Sequence, residues 1–295
     1  MKILNFIIIT FLKALSFIPL GVLYGFSNCF YYLLYYVVGY RKKVVFDNLK
    51  NSFPEKSEVE LKAIAKGFYR HFADMIFEIV KSHNMGVENF KKHVTFKNIE
   101  VINKLHDEGK SIVLLTTHYG NWEWWVYAPH FLKHKLLIVY LPLSNKLFDN
   151  YMNSLRTKFG GVMLPITETF RTVLAHHQRK EPTLTWICAD QTAQWNNKFW
   201  VKFLHQETSF FTGGERIAKK TNQAVFFLDV QKVSRGKYTL EFKEYSLDPK
   251  TLPDNRISID YAKDLEQLIH HKPDYWLWSH KRWKHKRPEG LEVFE

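Results

Sequence analysis

From Ala14 to Tyr40 the chain carries no charged residue. As one helix that stretch would reach ~40 Å, longer than the ~30 Å hydrocarbon core of a bilayer. Pro19 and Gly21 interrupt it, so a kinked or re-entrant segment stands beside a straight spanning helix. Tyr31, Tyr32, Tyr35, Tyr36 and Tyr40 gather toward one end, the pattern of a membrane–water boundary. Arg41, Lys42 and Lys43 follow at once as a compact cluster, against Lys2 and the amino terminus at the far end and Lys13 inside the preceding apolar run. That cluster of positive charge puts the bulk of the chain in the cytoplasm. A cleaved signal peptide is the alternative, but Lys13 breaks its apolar region and no small-x-small site follows. The expected organisation is an N-terminal membrane helix within residues 1–43 and one larger domain over residues 44–295.

The larger domain reads as α/β. Ser57-x-x-Glu60 is a capping box. It opens an amphipathic helix with Leu61, Ile64, Phe68, Phe72, Met75, Ile76 and Ile79 at helical spacing. Beyond it, strand candidates at 111–116, 136–140, 183–189, 224–230 and 237–243 alternate with helix candidates. The helices fall near 97–108, 121–132, 146–159, 168–178, 213–221 and 257–271. Such alternation predicts a mixed or largely parallel sheet flanked by helices.

Composition excludes some classes and leaves others. The chain is 46% hydrophobic, too apolar for a disordered tail. Its net charge of +13 attracts nucleic acid, anionic lipid headgroups or an acidic protein. No zinc-finger spacing or RNA-binding signature supports nucleic acid. The two cysteines, Cys29 and Cys188, lie far apart in sequence and make neither a disulfide framework nor a metal set. His176-His177 and His270-His271 lack the spacing of a metal site, so no metal is expected. No GxSxG, Walker A or Rossmann glycine motif occurs, which argues against a serine hydrolase, a nucleotide-driven enzyme or a dinucleotide reductase.

The segment Thr116-Thr117-His118-Tyr119-Gly120-Asn121-Trp122-Glu123 carries the sharpest chemistry. It follows an apolar strand, so His118 emerges at the carboxyl end, where open α/β sheets bind ligands. Gly120 permits a sharp turn. Within one helix His118 and Glu123 would not share a face. If His118 precedes the helix and Glu123 sits in its first turn, they can meet. A carboxylate on one ring nitrogen fixes the tautomer and raises the basicity of the other. On pattern alone, a histidine that merely caps or packs after a strand fits as well.

The same segment resembles the His-x-x-x-x-Asp/Glu motif of glycerolipid and lipid A acyltransferases, in the Glu form of the lipid A late acyltransferases. Further segments match in order along nearly the whole chain. Val44–Glu55 resembles that family's Asn-Leu and Phe-Pro-Glu run. Tyr140-Leu-Pro-Leu-Ser-Asn145 with Arg156 resembles its Tyr-Arg-Pro…Asn…Arg block. Ala189-Asp190-Gln191 matches its Ala-Asp-Gln. Val201–Ala218, with Phe203, Thr212 and Gly213, is similar to its Phe-Phe-Gly…Thr-Gly block. Trp276–Trp283 resembles its Trp-x-Trp-x-His-x-Arg-Trp ending. Leu141 stands in place of that block's Arg, and Leu204-His205 in place of Phe-Gly; both departures bear on acceptor identity.

The resemblance implies a glycerolipid acyltransferase-like fold. It implies an enzyme that moves a fatty acyl chain from a thioester, on acyl carrier protein, to a hydroxyl of a lipid A precursor. The catalytic pair is His118 as general base and Glu123 as its orienting carboxylate. Asn121, Tyr140, Asn145, Arg156, Asp190, Gln191, Thr212, Gly213 and Arg282 are the substrate-binding candidates, with no cofactor. Plainer roles stay open: Arg156 as an exposed helix charge, Asp190 and Gln191 as a turn after a strand. Thr212 and Glu215 also fit a capping box, and Arg282 a tail-stabilising contact. A lysophospholipid or hydroxylated aminolipid is the alternative acceptor. A non-catalytic basic membrane protein is the second alternative. The expected location is the cytoplasmic face of the bacterial inner membrane.

Overall fold

A computed structural model describes residues 2–294; the amino-terminal residue counted in the charge comparison lies outside them. The apolar N-terminal stretch is not one spanning helix, and no helix among the described residues is long and apolar enough to cross a membrane. This corrects the expected membrane helix. The first helix, α1, ends at Leu15 after 14 residues (Lys2–Leu15), a reach of ~21 Å. Pro19, which cannot supply a backbone N–H, precedes α2 (Leu20–Tyr32). A π-type turn, Leu33–Val38, continues α2 and stops at Gly39, whose φ is 62°. Polar groups on α2 reach back into the protein: Ser27 Oγ donates to Asp74 and Tyr24 Oη to Glu78. A helix with that buried polar face is built to pack on protein rather than to be surrounded by lipid.

Helix α3 (Lys42–Ser52) leads to α4 (Glu58–Ser82), which opens on the expected Ser57–Glu60 capping box. The apolar residues predicted for α4 lie on its packed side, with Leu61, Ile64, Phe68 and Met75 buried. The short α5 (Val87–Phe90) precedes β1 (Val94–Lys97) and α6 (Ile99–Asp107). Then come β2 (Ile112–Thr116), a 3-10 segment (Trp122–His130), β3 (Lys135–Tyr140), α7 (Lys146–Thr157), β4 (Val162–Pro165) and α8 (Thr169–Gln178). The chain continues through β5 (Thr183–Cys188), β6 (Trp200–Phe203), β7 (Gln206–Ser209) and α9 (Gly213–Thr221). It ends with β8 (Ala224–Ser234), β9 (Lys237–Ser246), α10 (Arg256–His271) and an irregular tail.

The expected strands and helices all occur, except that 121–132 forms a 3-10 segment rather than an α-helix. Pro129 lies inside it and supplies no N–H to an α-helical ladder. Strands β1, β4, β6 and β7 escape periodicity because each is only four residues long.

The main sheet has seven strands in the order β1-β9-β8-β2-β5-β3-β4, with β6 and β7 a separate hairpin. Strands β8, β2, β5, β3 and β4 run parallel to one another, and β1 runs parallel to β9. Only the β8–β9 hairpin is antiparallel within the main sheet, closed by the short turn at Arg235-Gly236. The β2 strand lies mid-sheet and is buried along its whole length. Val113 and Leu115 join the core beneath α3, α4, α9 and α10, while Ile112 and Leu114 join the core with Trp124, Trp125 and Trp186. This is the alternation a strand buried on both faces requires. Leu114→Ala should cost about 2–5 kcal/mol, read as a lowered denaturation midpoint; an unchanged midpoint would show that the two-sided core does not bear on this strand.

Candidate active site

Register assembles the site. Thr116 of β2 pairs with Cys188 of the adjacent parallel β5. Two residues beyond each, His118 and Asp190 leave the sheet side by side. Asp190 Oδ1 lies 2.5 Å from His118 Nδ1, and Asp190 Oδ2 accepts the His118 backbone N–H at 2.8 Å. Trp276 Nε1 donates to the same oxygen at 2.9 Å. The carboxylate is buried and its lone pairs are saturated by fixed donors.

The carboxylate that steers His118 is therefore Asp190, which corrects the expectation that Glu123 would do so. Glu123 instead accepts two hydrogen bonds from Arg156, Nε to Oε2 at 3.0 Å and Nη2 to Oε1 at 2.5 Å. Burial opposes ionisation of both partners, but their mutual attraction prevails: Glu123 is lowered and Arg156 raised. Such a bidentate pair is geometrically specific. It lies close enough for the His118 charge to act on Glu123.

Burial alone would depress the pKa of His118, yet it is raised well above its ordinary value by the neighbouring Cys188 and Asp190. The Cys188 sulfur lies 3.2 Å from His118 Nδ1. Burial raises the Cys188 pKa, which keeps it a neutral thiol, so the charge that holds the imidazolium is that of Asp190. Burial likewise opposes the Asp190 anion, but His118 outweighs it and sets its pKa at about 2. The imidazole thus meets a permanent anion across the neutral pH range.

With Nδ1–H directed at Asp190, the neutral ring keeps its lone pair on Nε2. The Gln191 amide nitrogen lies 3.1 Å from Nε2 and donates to it. When the ring is protonated, turning that amide over offers its oxygen instead. Gln191 therefore serves both charge states. The ring itself is 17% exposed at its side chain, enough to leave an edge open to a reactant.

His118, Cys188 and Asp190 also bring three ligand-type atoms within 4.8 Å of one another. The 2.5 Å between Nδ1 and Oδ1 is a hydrogen-bond contact. Two ligands on one tetrahedral zinc stand ~3.3 Å apart, so this spacing fits a proton and not a shared zinc.

The turn after His118 is pinned from two sides. Gly120, at φ 64°, would place a Cβ 2.9 Å from Val230 Cγ1, so only glycine fits. Its N–H donates to Tyr275 O, and Leu277 N–H donates to His118 O. From α4, His71 Nε2 meets Gly120 O at 3.1 Å. Burial and Lys232 lower the His71 pKa to about 3, which keeps it a neutral donor. Buried Glu78 accepts from Asn121 Nδ2 at 2.7 Å, Tyr24 Oη at 2.8 Å and Tyr238 Oη at 2.8 Å. Neither His71 nor Glu78 carried a sequence signal, because both sit within an apolar helix and their partners come from distant strands.

The other predicted site residues divide. Gln191 joins His118. Arg156 is held by Glu123. Tyr140 is half-buried at the end of β3, where its carbonyl accepts Ile166 N–H. Asn145 caps α7 by accepting from Leu147 and Phe148. Asn121 is 1% exposed, and its amide is committed to Glu78 and Trp124 N, so it supports the turn. Thr212 and Gly213 lie at the start of α9 and line an open cleft of about 670 Å³ with Lys198 and Arg216. Thr212 makes no side-chain cap, and Glu215 turns to Ser258 instead; the alternative capping box is corrected. Arg282 is 0% exposed, donating to Thr208 Oγ1 at 2.6 Å and Ser209 O at 2.7 Å. It stacks 4.2 Å from the Phe210 ring. That placement removes it from the surface and ties the tail to the β6–β7 hairpin.

The rim of the same sheet edge is apolar. Leu141, Leu143, Ile166 and Phe170 are exposed in the segments that follow β3 and β4. Fold and site together define an α/β protein with a carboxylate-steered histidine at the carboxyl edge of parallel strands, beside exposed aliphatic surface.

Residues 1–285 match the family described as bacterial lipid A biosynthesis acyltransferase. The chain belongs to that family and is an acyltransferase. It is 28% identical over 118 residues to lipid A biosynthesis acyltransferase 2 of Shigella flexneri, covering 39% of this chain and 36% of that one. It is 21% identical to a Haemophilus influenzae lipid A biosynthesis acyltransferase, covering 78% of this chain and 72% of the relative. To the lipid A biosynthesis myristoyltransferase of Escherichia coli it is 19% identical, covering 84% and 76%.

Asp190→Asn removes the anion that holds the His118 pKa up. The acid limb of kcat/KM should move to lower pH while the maximal rate falls by roughly 10²-fold or more. Glu123→Gln should move that limb in the same direction but less than Asp190→Asn does, and destabilise the protein by about 2–3 kcal/mol. That is less than the cost of breaking a fully buried pair, because the Arg156 side chain keeps 21% exposure. A pH–rate profile and a melt of each variant decide the assignment, and an unmoved limb in Asp190→Asn overturns it.

Proposed function

We propose that the protein transfers a fatty acyl chain from a thioester, carried on acyl carrier protein, to a hydroxyl of a lipid A precursor. The observation that carries this reading is the His118–Asp190 contact, with Nε2 left as the reactive nitrogen. In the first step the acceptor hydroxyl displaces the Gln191 contact and gives its proton to Nε2. Its oxygen attacks the thioester carbonyl, and the carbonyl π electrons move onto oxygen. Collapse of that tetrahedral species re-forms the carbonyl and breaks the C–S bond, and the imidazolium returns the proton to the leaving thiolate. Asp190 stabilises the imidazolium between the two transfers.

Arg156 is the nearby cation suited to the developing oxyanion, and Glu123 fixes its plane. Glu123 thus acts as a positioning residue through Arg156. Tyr140, Asn145, Thr212 and Gly213 border the edge where the two substrates would meet. The exposed aliphatic rim suits acyl chains, and a net charge of +13 suits an acidic carrier or a phosphorylated acceptor.

The exposed Phe6, Phe11, Phe17, Val22 and Phe26 of the N-terminal segment support a protein that lies on a bilayer without crossing it. We assign this surface, within residues 1–43, to the cytoplasmic face of the bacterial inner membrane, with residues 44–295 as the catalytic domain. Leu141 is 73% exposed where the family resemblance leads one to expect an arginine. That favours a less highly charged acceptor, a lysophospholipid or hydroxylated aminolipid, as the second reading.

Purified protein incubated with acyl carrier thioesters and a panel of lipid acceptors, followed by mass spectrometry, separates the two. His118→Ala should lose roughly 10²–10⁴-fold in rate while its circular dichroism stays that of the parent. Near-normal turnover in that variant removes the mechanism.

A further inference from the structure

A second cleft, of about 460 Å³, opens between α2, α4 and the β8–β9 turn. Its wall carries Arg70, Lys232 and Arg235 against a single carboxylate, Asp74. Arg235 grips Asp74 through Nε and Nη2, and Lys232 Nζ lies 3.6 Å from the same carboxylate. Arg70 is exposed on α4 and rests 5.0 Å above the Tyr31 ring; among the described residues it pairs with no carboxylate. The cleft therefore keeps a surplus of positive charge in a half-enclosed space, which focuses the field on an anion at its mouth.

The rim says where that anion comes from. Tyr32 lines the cleft and is itself 58% exposed. It is continuous with exposed Leu33, Tyr36 and Val37 on the same helical segment. Tyrosines beside aliphatic side chains settle at the headgroup level of a bilayer, the depth at which Arg and Lys meet lipid phosphates. The cleft also lies behind the catalytic turn and not in front of it. Lys232 Nζ donates to His71 Nδ1 at 3.2 Å, and His71 holds Gly120 O, while His118 Nε2 opens on the other side, toward Gln191.

We propose that this cleft binds the phosphate of an anionic bilayer phospholipid, with Arg70 as the free cation that closes on it. The proposal rests on the reading that the N-terminal face lies on a membrane. A seated headgroup would fix α2 and α4 against the bilayer and so set the height of the catalytic turn above it.

The test is flotation of the full chain with phosphatidylcholine vesicles, with and without phosphatidic acid. Arg70→Ala should weaken binding to the acidic vesicles by about fivefold, with binding to pure phosphatidylcholine unchanged. Lys62→Ala removes an equal charge from the same helix, outside the cleft, and should change binding less than about twofold. Equal losses in the two variants would mean diffuse attraction and would overturn the site alone. Wild-type protein that floats with neither vesicle removes the membrane reading and this proposal together. A raised KM for a detergent-dispersed phosphorylated acceptor in Arg70→Ala, with vesicle binding intact, would reassign the cleft to the acceptor and also overturn the proposal.

Discussion

The parallel pairing of β2 with β5 is the constraint on which the site depends. Its register joins Thr116 to Cys188, and everything at the carboxyl edge follows from that match. A slip of one residue would turn the side chains of one strand to the opposite face, and His118 would lose Asp190. The register is held by burial, since Val113, Leu115, Leu114 and Ile112 each fill a core on their own side of the sheet. Packing deep in the molecule thus fixes a hydrogen bond at the carboxyl edge of the sheet. The same logic explains why Asp190 needs a tryptophan and a backbone N–H on its second oxygen. A buried carboxylate left half-satisfied would protonate and no longer stabilise the imidazolium.

A second layer sits beneath the turn and is polar. His71, Asp74 and Glu78 occupy one side of α4 at helical spacing, all buried. Each is satisfied by a different part of the chain: Gly120, the Arg235 turn, and the trio of Tyr24, Asn121 and Tyr238. Buried polar groups of this kind fix a unique arrangement only when every member is paired. Here they lock α2, α4 and the turn after His118 into one geometry. The N-terminal segment is thereby part of the architecture that positions His118, and not only a candidate contact with lipid.

Much of the fold could be read from the chain because its long elements have clean periods. The Ser57 capping box and the apolar positions after it mark α4, and the runs at 111–116 and 183–189 mark two central strands. His118 was legible too, as a histidine closing an apolar strand. Its partner was not. Glu123 is near in sequence and Asp190 is distant, and only the adjacency of β2 and β5 decides between them. Local spacing cannot encode which strands become neighbours. The apolar N-terminus misled for a related reason: hydropathy registered its length, while Ser27 and Tyr24, which bond to α4, read as ordinary neutral residues.

The division of labour between the two carboxylates follows from their environments. In the proposed mechanism Asp190 faces an imidazole that gains and loses a proton, so its own charge must not waver, and the His118 charge, with fixed donors behind it, keeps its pKa at about 2. Glu123 faces a guanidinium that never loses its proton, so it acts through geometry. Two parallel hydrogen bonds set the plane of Arg156, the plane that the proposed mechanism directs at the developing oxyanion. Exchanging the roles would fail on both counts. A carboxylate shared with arginine is a weaker stabiliser of imidazolium, and an arginine without its fork partner would be free to swing. In the proposed mechanism proton handling and charge placement are therefore separate tasks, given to two acids on different elements at one sheet edge.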